Sequence, residues 1–217
     1  MEFLSRYACW FSAVDARVWF RAVLAGAIAT SGCATDGTGV VQYQDEKTAV
    51  TVTVATTPVV LAREVPMLAV NARDYLNLTA IEVNRTGQRR YYFFGYSWST
   101  IDRREQDADS AARVAGLVLK ADDRVLTLNM SPREFETAGL VTFPLPPPGP
   151  GARPVLYPAD RAMLAYVGAA EVLSAEFSRA AGATPAEPYR PWNGSAADFD
   201  SFLGRTAPLR ADRATSR

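Results

Sequence analysis

The stretch Asp74–Thr100, DYLNLTAIEVNRTGQRRYYFFGYSWST, constrains this chain more than any other, because it has the composition of two long strands around one tight turn. β-Branched and aromatic residues crowd both arms, as a pleated, half-buried surface favours. Between them Asn84-Arg85-Thr86-Gly87 has Asn at the first position and Gly at the last, the pattern of a type I turn followed by a left-handed Gly. Such a turn sets Asn84 opposite Gln88. Leu76, Leu78 and Ala80 then share a face with Tyr92, Phe94, Tyr96 and Trp98, and Glu82 meets Arg90. Tyr91 and Phe93 fall on the other face.

Extended structure is expected on either side. Thr48–Ala55 alternates, with Val50, Val52 and Val54 against Thr51 and Thr53, the period of a strand with one buried face. Val59–Leu61 and Met67–Val70 are shorter strand candidates confined to edges or strand starts by Pro58 and Pro66. The charged segment between Ile101 and Arg113 reads as a surface loop. Ala115–Met130 reads as a second hairpin, with Leu117 and Leu119 on one arm, Val125, Leu126 and Leu128 on the other, and Ala121-Asp122-Asp123 at the bend.

Helix signals are few and short. Ser131-Pro132-Arg133-Glu134 has the form of a capping box with Pro at the first helical position, and Gly139 closes the turn so that Leu140–Phe143 can return to strand. Residues 144–154 hold six prolines and two glycines and read as a polyproline-like connector. Pro158–Val167 is expected to be a helix ending at Gly168. Glu171–Ser178 fits either a continuation of that helix or a strand, and strand is the favoured reading. Ser195–Asp198 opens a last helix that buries Phe199, Phe202 and Leu203 and stops at Gly204.

The expected fold is therefore mainly β (α+β): an antiparallel sandwich or sheet built from hairpins, with two or three short helices packed on it. One domain spans 48–204. Residues 33–47, small and polar, read as a flexible tether, and 205–217 as a disordered tail.

The first 32 residues read as an address. Arg17 and Arg21 precede an apolar run from Ala22 to Ala29, too short to span a bilayer but suited to a signal-peptide core. Thr30-Ser31-Gly32-Cys33 follows, and here the chain resembles the lipobox of bacterial lipoprotein precursors, with Thr30 where that class usually has Leu. The resemblance implies cleavage before Cys33, acylation of its sulfur and anchoring of the new N-terminus in a membrane, facing the periplasm. Ala34 after that Cys leans the expectation toward the outer membrane. An uncleaved anchor and a plain secreted protein remain alternatives, as does a true start near Val18.

Composition restricts the chemistry. The chain has no His, which removes the commonest general base and metal ligand, and 23 acidic residues balance 23 basic ones, which argues against nucleic acid. Cys9 would leave with the signal and Cys33 would be lipidated, so the mature chain would hold no free thiol. No cofactor is indicated, and an enzyme is not indicated either. Candidate contacts for a ligand or partner are Tyr91, Phe93 and Trp192, each of which has a packing role as its alternative. Asp107 and Asp109 are weak calcium candidates in a loop that Arg103 and Arg104 would neutralise. These features point to a non-enzymatic binding or structural component of the cell envelope, with an envelope protein or glycan as partner. The alternative is a polysaccharide- or peptidoglycan-binding or hydrolysing module using aromatics and carboxylates.

Overall fold

The long hairpin exists, but its register is one residue away from the expected one. The computed structural model describes residues 39–65, 71–101, 115–178 and 187–207. Within it β4 (Arg73–Arg85) pairs antiparallel with β5 (Gln88–Ser99), and Arg85 lies opposite Gln88. The turn is thus two residues long, Thr86 and Gly87, with φ of +49° and +92°. Positive φ at both central positions is the sign pattern of a type I′ turn, whose twist matches that of the flanking strands. Asn84 serves it from outside, accepting the Gly87 N–H on Oδ1 at 2.9 Å.

That shift moves every side chain of one arm to the opposite face relative to the other arm. Leu76, Leu78, Ala80 and Glu82 share their face with Tyr91 and Phe93, while Tyr92, Phe94, Tyr96 and Trp98 lie opposite Ile81, Thr79, Asn77 and Tyr75. Glu82 faces Tyr91, not Arg90. Hydrophobic pattern could not discriminate between the registers, because both faces of this hairpin are apolar and both are covered. Gly95 in β5 tolerates no side chain: a Cβ there would stand 1.8 Å from the Asn77 carbonyl oxygen.

β2 (Thr51–Ala55) and β3 (Val59–Glu64) both run antiparallel to β4, on the side away from β5. Val54 faces Ile81 and Val59 faces Leu78, so residues 55–58 bulge against only Thr79 and Ala80. Thr79, fully buried, donates its hydroxyl to the Ala55 carbonyl at 2.6 Å and satisfies a group the bulge would leave orphaned. Outside this interrupted strand lie β1 (Val40–Gln44), paired with β2, and β10 (Arg190–Pro191), paired with β3. The expected tether therefore already contains an edge strand.

On the far side, β8 (Arg153–Ala159) pairs with β5 and, among the described residues, with no other strand. Pro154 and Pro158 both sit inside it, which an edge strand permits because a missing N–H costs nothing on its outward side. The last two residues of the expected connector, 144–154, thus belong to this strand, and so does Pro158, expected to open a helix. The helix that follows, α2 (Arg161–Gly168), is capped by Asp160, whose side chain accepts the Met163 N–H at 2.7 Å.

α1 (Glu134–Ala138) ends as its sequence requires. Gly139 has φ +79°, its N–H bonds Glu136 O, and the Leu140 N–H bonds Phe135 O. Half of the capping box forms: Glu134 accepts the Ser131 N–H at 3.4 Å, whereas Ser131 Oγ turns to the Arg133 N–H. Leu140–Phe143 does not return to strand. The Val141 and Thr142 N–H groups go to the Asp45 carboxylate at 3.3 and 3.2 Å instead of to a neighbouring strand.

A second sheet has the order β7-β6-β9, from β6 (Gly116–Ala121), β7 (Arg124–Asn129) and β9 (Leu173–Phe177). The hairpin of β6 and β7 bends at Asp122 (φ +47°), and the strand reading of Glu171–Ser178 holds. Leu117, Leu119, Leu128, Leu173 and Ala175 pack with Leu76, Leu78 and Phe93 of the large sheet, joined by Phe199 and by Phe202 and Leu203 of α3 (Asp200–Arg205). α3 runs through Gly204 to Arg205. The other face of the large sheet buries Val50, Val52, Val54, Ile81, Phe94 and Tyr96 with Ala138 and Leu140. Each fully buried large side chain contributes roughly 1.5–3 kcal/mol, so both layers matter to stability. The fold is mainly β, antiparallel, with three short helices among the described residues.

Candidate functional site

The three expected contact residues do not converge. Phe93 is fully buried, 6.4 Å from the Phe199 ring, and is a core residue. Tyr91 is half-buried opposite Glu82, and its hydroxyl lies 3.4 Å from the Thr206 carbonyl that it donates to. Trp192 sits on the other face of the large sheet, against Tyr75. Cys33, Asp107, Asp109 and the Met67–Val70 and Asp102–Arg113 segments lie outside the described residues.

Around Tyr91 a polar cluster closes the end of α3. Arg89 and Tyr91 both donate to the Thr206 carbonyl, Arg161 donates to the Leu203 carbonyl at 2.7 Å, and Arg89 stands 3.8 Å from the buried Glu82 carboxylate. Two cations thus face the carbonyl end of a helix, where they are favourable. Burial, then the neighbouring Glu82 carboxylate, push the Tyr91 hydroxyl pKa up. This cluster holds the last helix down, and it makes Thr206, expected in a disordered tail, a buried residue.

A different arrangement forms at the end of the sheet where β4 begins. Across four strands, Arg190, Ala62, Tyr75 and Trp98 are successive register partners and therefore form one row on one face. The Tyr75 and Trp98 rings stack with centroids 5.1 Å apart and planes 11° from parallel. Ala62 is a single methyl in this row, and Trp192 meets Tyr75 edge-on at 5.9 Å. All three rings are half-buried.

The backbone explains how Trp192 is held there. Its N–H donates to the Val60 carbonyl at 2.8 Å, and the Val60 N–H donates to Ser195 Oγ at 2.8 Å. Ser195 N–H closes the turn onto the Trp192 carbonyl, through Asn193 and Gly194 at φ +51° and +71°. The turn Trp192–Ser195 is thus clipped to β3 by both polar groups of one residue. Ser195 serves as this clip and does not cap α3.

Charged groups edge the rings. The Arg73 guanidinium lies over the Trp192 ring, 4.7 Å from its centroid, and reaches Glu64 Oε1 at 3.2 Å. Arg73 Nε is buried without a hydrogen-bond partner. The Glu64 side chain is 70% exposed, and Arg190 is exposed. On the reverse side of the same sheet end, Arg63 pairs with the buried Asp74 at 2.7 Å and covers the Tyr189 ring at 4.7 Å, which fixes the strand ends beneath.

Two further clusters are joints. Asp45 binds four backbone N–H groups, and Asp123 accepts the Tyr166 hydroxyl at 2.5 Å while Asp122 accepts the Glu171 and Val172 N–H groups. Among the described residues, no three His, Cys, Asp or Glu side chains come together as a metal would require.

Among the described residues, the half-buried shelf of Trp98, Tyr75 and Trp192, edged by charged groups, is where aromatic and polar recognition groups converge at the surface. Sequence reading marked only Trp192, because the Tyr75–Trp98 pair exists only in the two-residue turn register. Counting outward from Thr86-Gly87 would have found it. No family model matches the chain, and neither a curated protein nor a solved structure matches it.

Proposed function

We propose that this protein is a lipid-anchored component of the bacterial cell envelope that binds another envelope component and performs no chemistry on it. The observation that carries the binding part is the half-buried row of Trp98 and Tyr75 with Trp192 against it and Arg73 and Glu64 at its edge. Aromatic rings with polar tips supply contact area at low entropic cost, which is why such residues dominate recognition surfaces. The anchoring part rests on the apolar run Ala22–Ala29 and the Thr30-Ser31-Gly32-Cys33 junction.

The two parts are tested separately. Cys33→Ser should move the protein from the membrane fraction to the soluble periplasmic fraction, and unchanged membrane fractionation would overturn the anchor. Crosslinking in intact envelopes should capture a partner through the wild-type protein and lose it with Trp192→Ala. Equal capture by both would remove the shelf from the binding surface.

A further inference from the structure

Resting on the reading of the shelf as the binding surface, we infer that its ligand is a carbohydrate chain that packs along the uncovered parts of Trp98, Tyr75 and Trp192 and turns its hydroxyls to Glu64, Arg73 and Arg190. The choice among ligand classes follows from what already surrounds the rings. A cationic ligand is disfavoured, because the cation position over Trp192 is occupied by the protein's own Arg73 guanidinium at 4.7 Å. A purely apolar ligand is disfavoured too. It would cover the Glu64–Arg73 ion pair and strip the water from its exposed carboxylate, a desolvation cost that an apolar surface does nothing to offset.

Sugar hydroxyls suit this edge because each both donates and accepts. Glu64 offers a largely exposed acceptor, while Arg73 and Arg190 offer donors. One face of Trp98 is taken by Tyr75 and one of Trp192 by Arg73, so the carbon–hydrogen patches of the sugars meet the apolar ring surface that those neighbours leave uncovered. The row from Arg190 to Trp98 crosses three strand spacings, about 14 Å, so it accommodates a run of sugars better than a single ring. The clip of Trp192 to Val60 leaves little ordering to be done on binding, which favours a preformed platform.

The test uses the full chain in mild detergent with two probes, purified peptidoglycan sacculi in co-sedimentation and chitotetraose in titration calorimetry. Wild-type protein should bind at least one of them. Trp192→Ala and Trp98→Ala should weaken binding at least tenfold, Trp192→Phe should retain most of it, and Val125→Ala, on the exposed part of β7, should leave it unchanged. Should an aromatic variant fail to fold by circular dichroism, Glu64→Gln and Arg73→Ala replace it, with a several-fold loss expected. Absence of binding to both probes, or undiminished binding by folded shelf variants, overturns the inference. If the probes fail while crosslinking captures a protein in a Trp192-dependent way, the carbohydrate inference falls and the binding-module reading stands. If both fail, both fall.

Discussion

The Asp45 carboxylate accepts the backbone N–H of Thr142 at 3.2 Å, across 97 positions of sequence. With the Val141 N–H on the same oxygen and those of Lys47 and Thr48 on the other, one buried side chain ties the β1–β2 turn to the segment after α1. Burial alone would raise its pKa, but the N–H donors of Thr142, Lys47, Val141 and Thr48 together outweigh it and hold the carboxyl below its ordinary 3.8. A carboxylate with a lowered folded pKa stabilises the protein above its unfolded pKa, and that contribution disappears as pH falls through the folded value. Urea midpoints should therefore be level from neutral pH to about pH 4 and decline below it. Asp45→Asn should lower the neutral-pH midpoint and flatten the acid decline, whereas Glu46→Gln, exposed next to it, should do neither.

Alkali should act on a neighbour of the same carboxylate. Burial first, and Asp45 second, raise the Tyr43 hydroxyl pKa to about 12, and burial raises that of Tyr157 as well. Here the neutral form is the stable one, so stability is fully present below the unfolded tyrosine pKa near 10 and is lost as pH rises from there toward about 12. Spectrophotometric titration should show tyrosines that ionise only as the protein unfolds, and Tyr43→Phe should reduce the alkaline loss.

Thr86 holds a positive φ that a β-branched residue adopts at a cost of about 1 kcal/mol. Thr86→Asn creates the Asn-Gly pair that type I′ turns favour and should stabilise the protein by about 0.5–1 kcal/mol in urea unfolding. In the three-residue loop that pairing Asn84 with Gln88 would leave, the same position would have negative φ and the substitution would be neutral or unfavourable, so this measurement also checks the register.

The Thr79 hydroxyl and the Ala55 carbonyl form a buried pair at the strand interruption. Thr79→Val keeps the volume but leaves that carbonyl unsatisfied, and should cost about 1–3 kcal/mol. Hydrogen exchange should then speed up in β2 and β3 more than in β6.

Phe93 and Trp192 should separate by phenotype. Phe93→Ala opens the core beneath Phe199 and should cost about 3–5 kcal/mol, read as a lowered thermal midpoint. Trp192→Ala should leave the far-ultraviolet spectrum native and cost much less, since the ring is half-buried and its turn is held by backbone groups.

Much of the fold was legible where local signals sufficed. Both hairpins, the left-handed Gly139 and the burial of Phe199, Phe202 and Leu203 follow from turn chemistry and periodicity. The register of β4 and β5 did not, because with Leu76 and Ile81 on opposite faces neither face reads as solvent. β1 and β8 were hidden for a different reason: Val40–Gln44 and Arg153–Ala159 are strands only by virtue of distant partners, and two prolines argued against the second. The shelf depended on both missing pieces, the register for Tyr75 and Trp98 and the β10 pairing for Arg190 and Trp192.

Tyr189 exchanges backbone hydrogen bonds with Ala175 of β9, and the next two residues pair with β3 before the chain reaches Trp192. This short splice stitches the margins of the two sheets together within one stroke of the chain. Any load placed on Trp192 would accordingly be shared by both sheets through this line of backbone bonds.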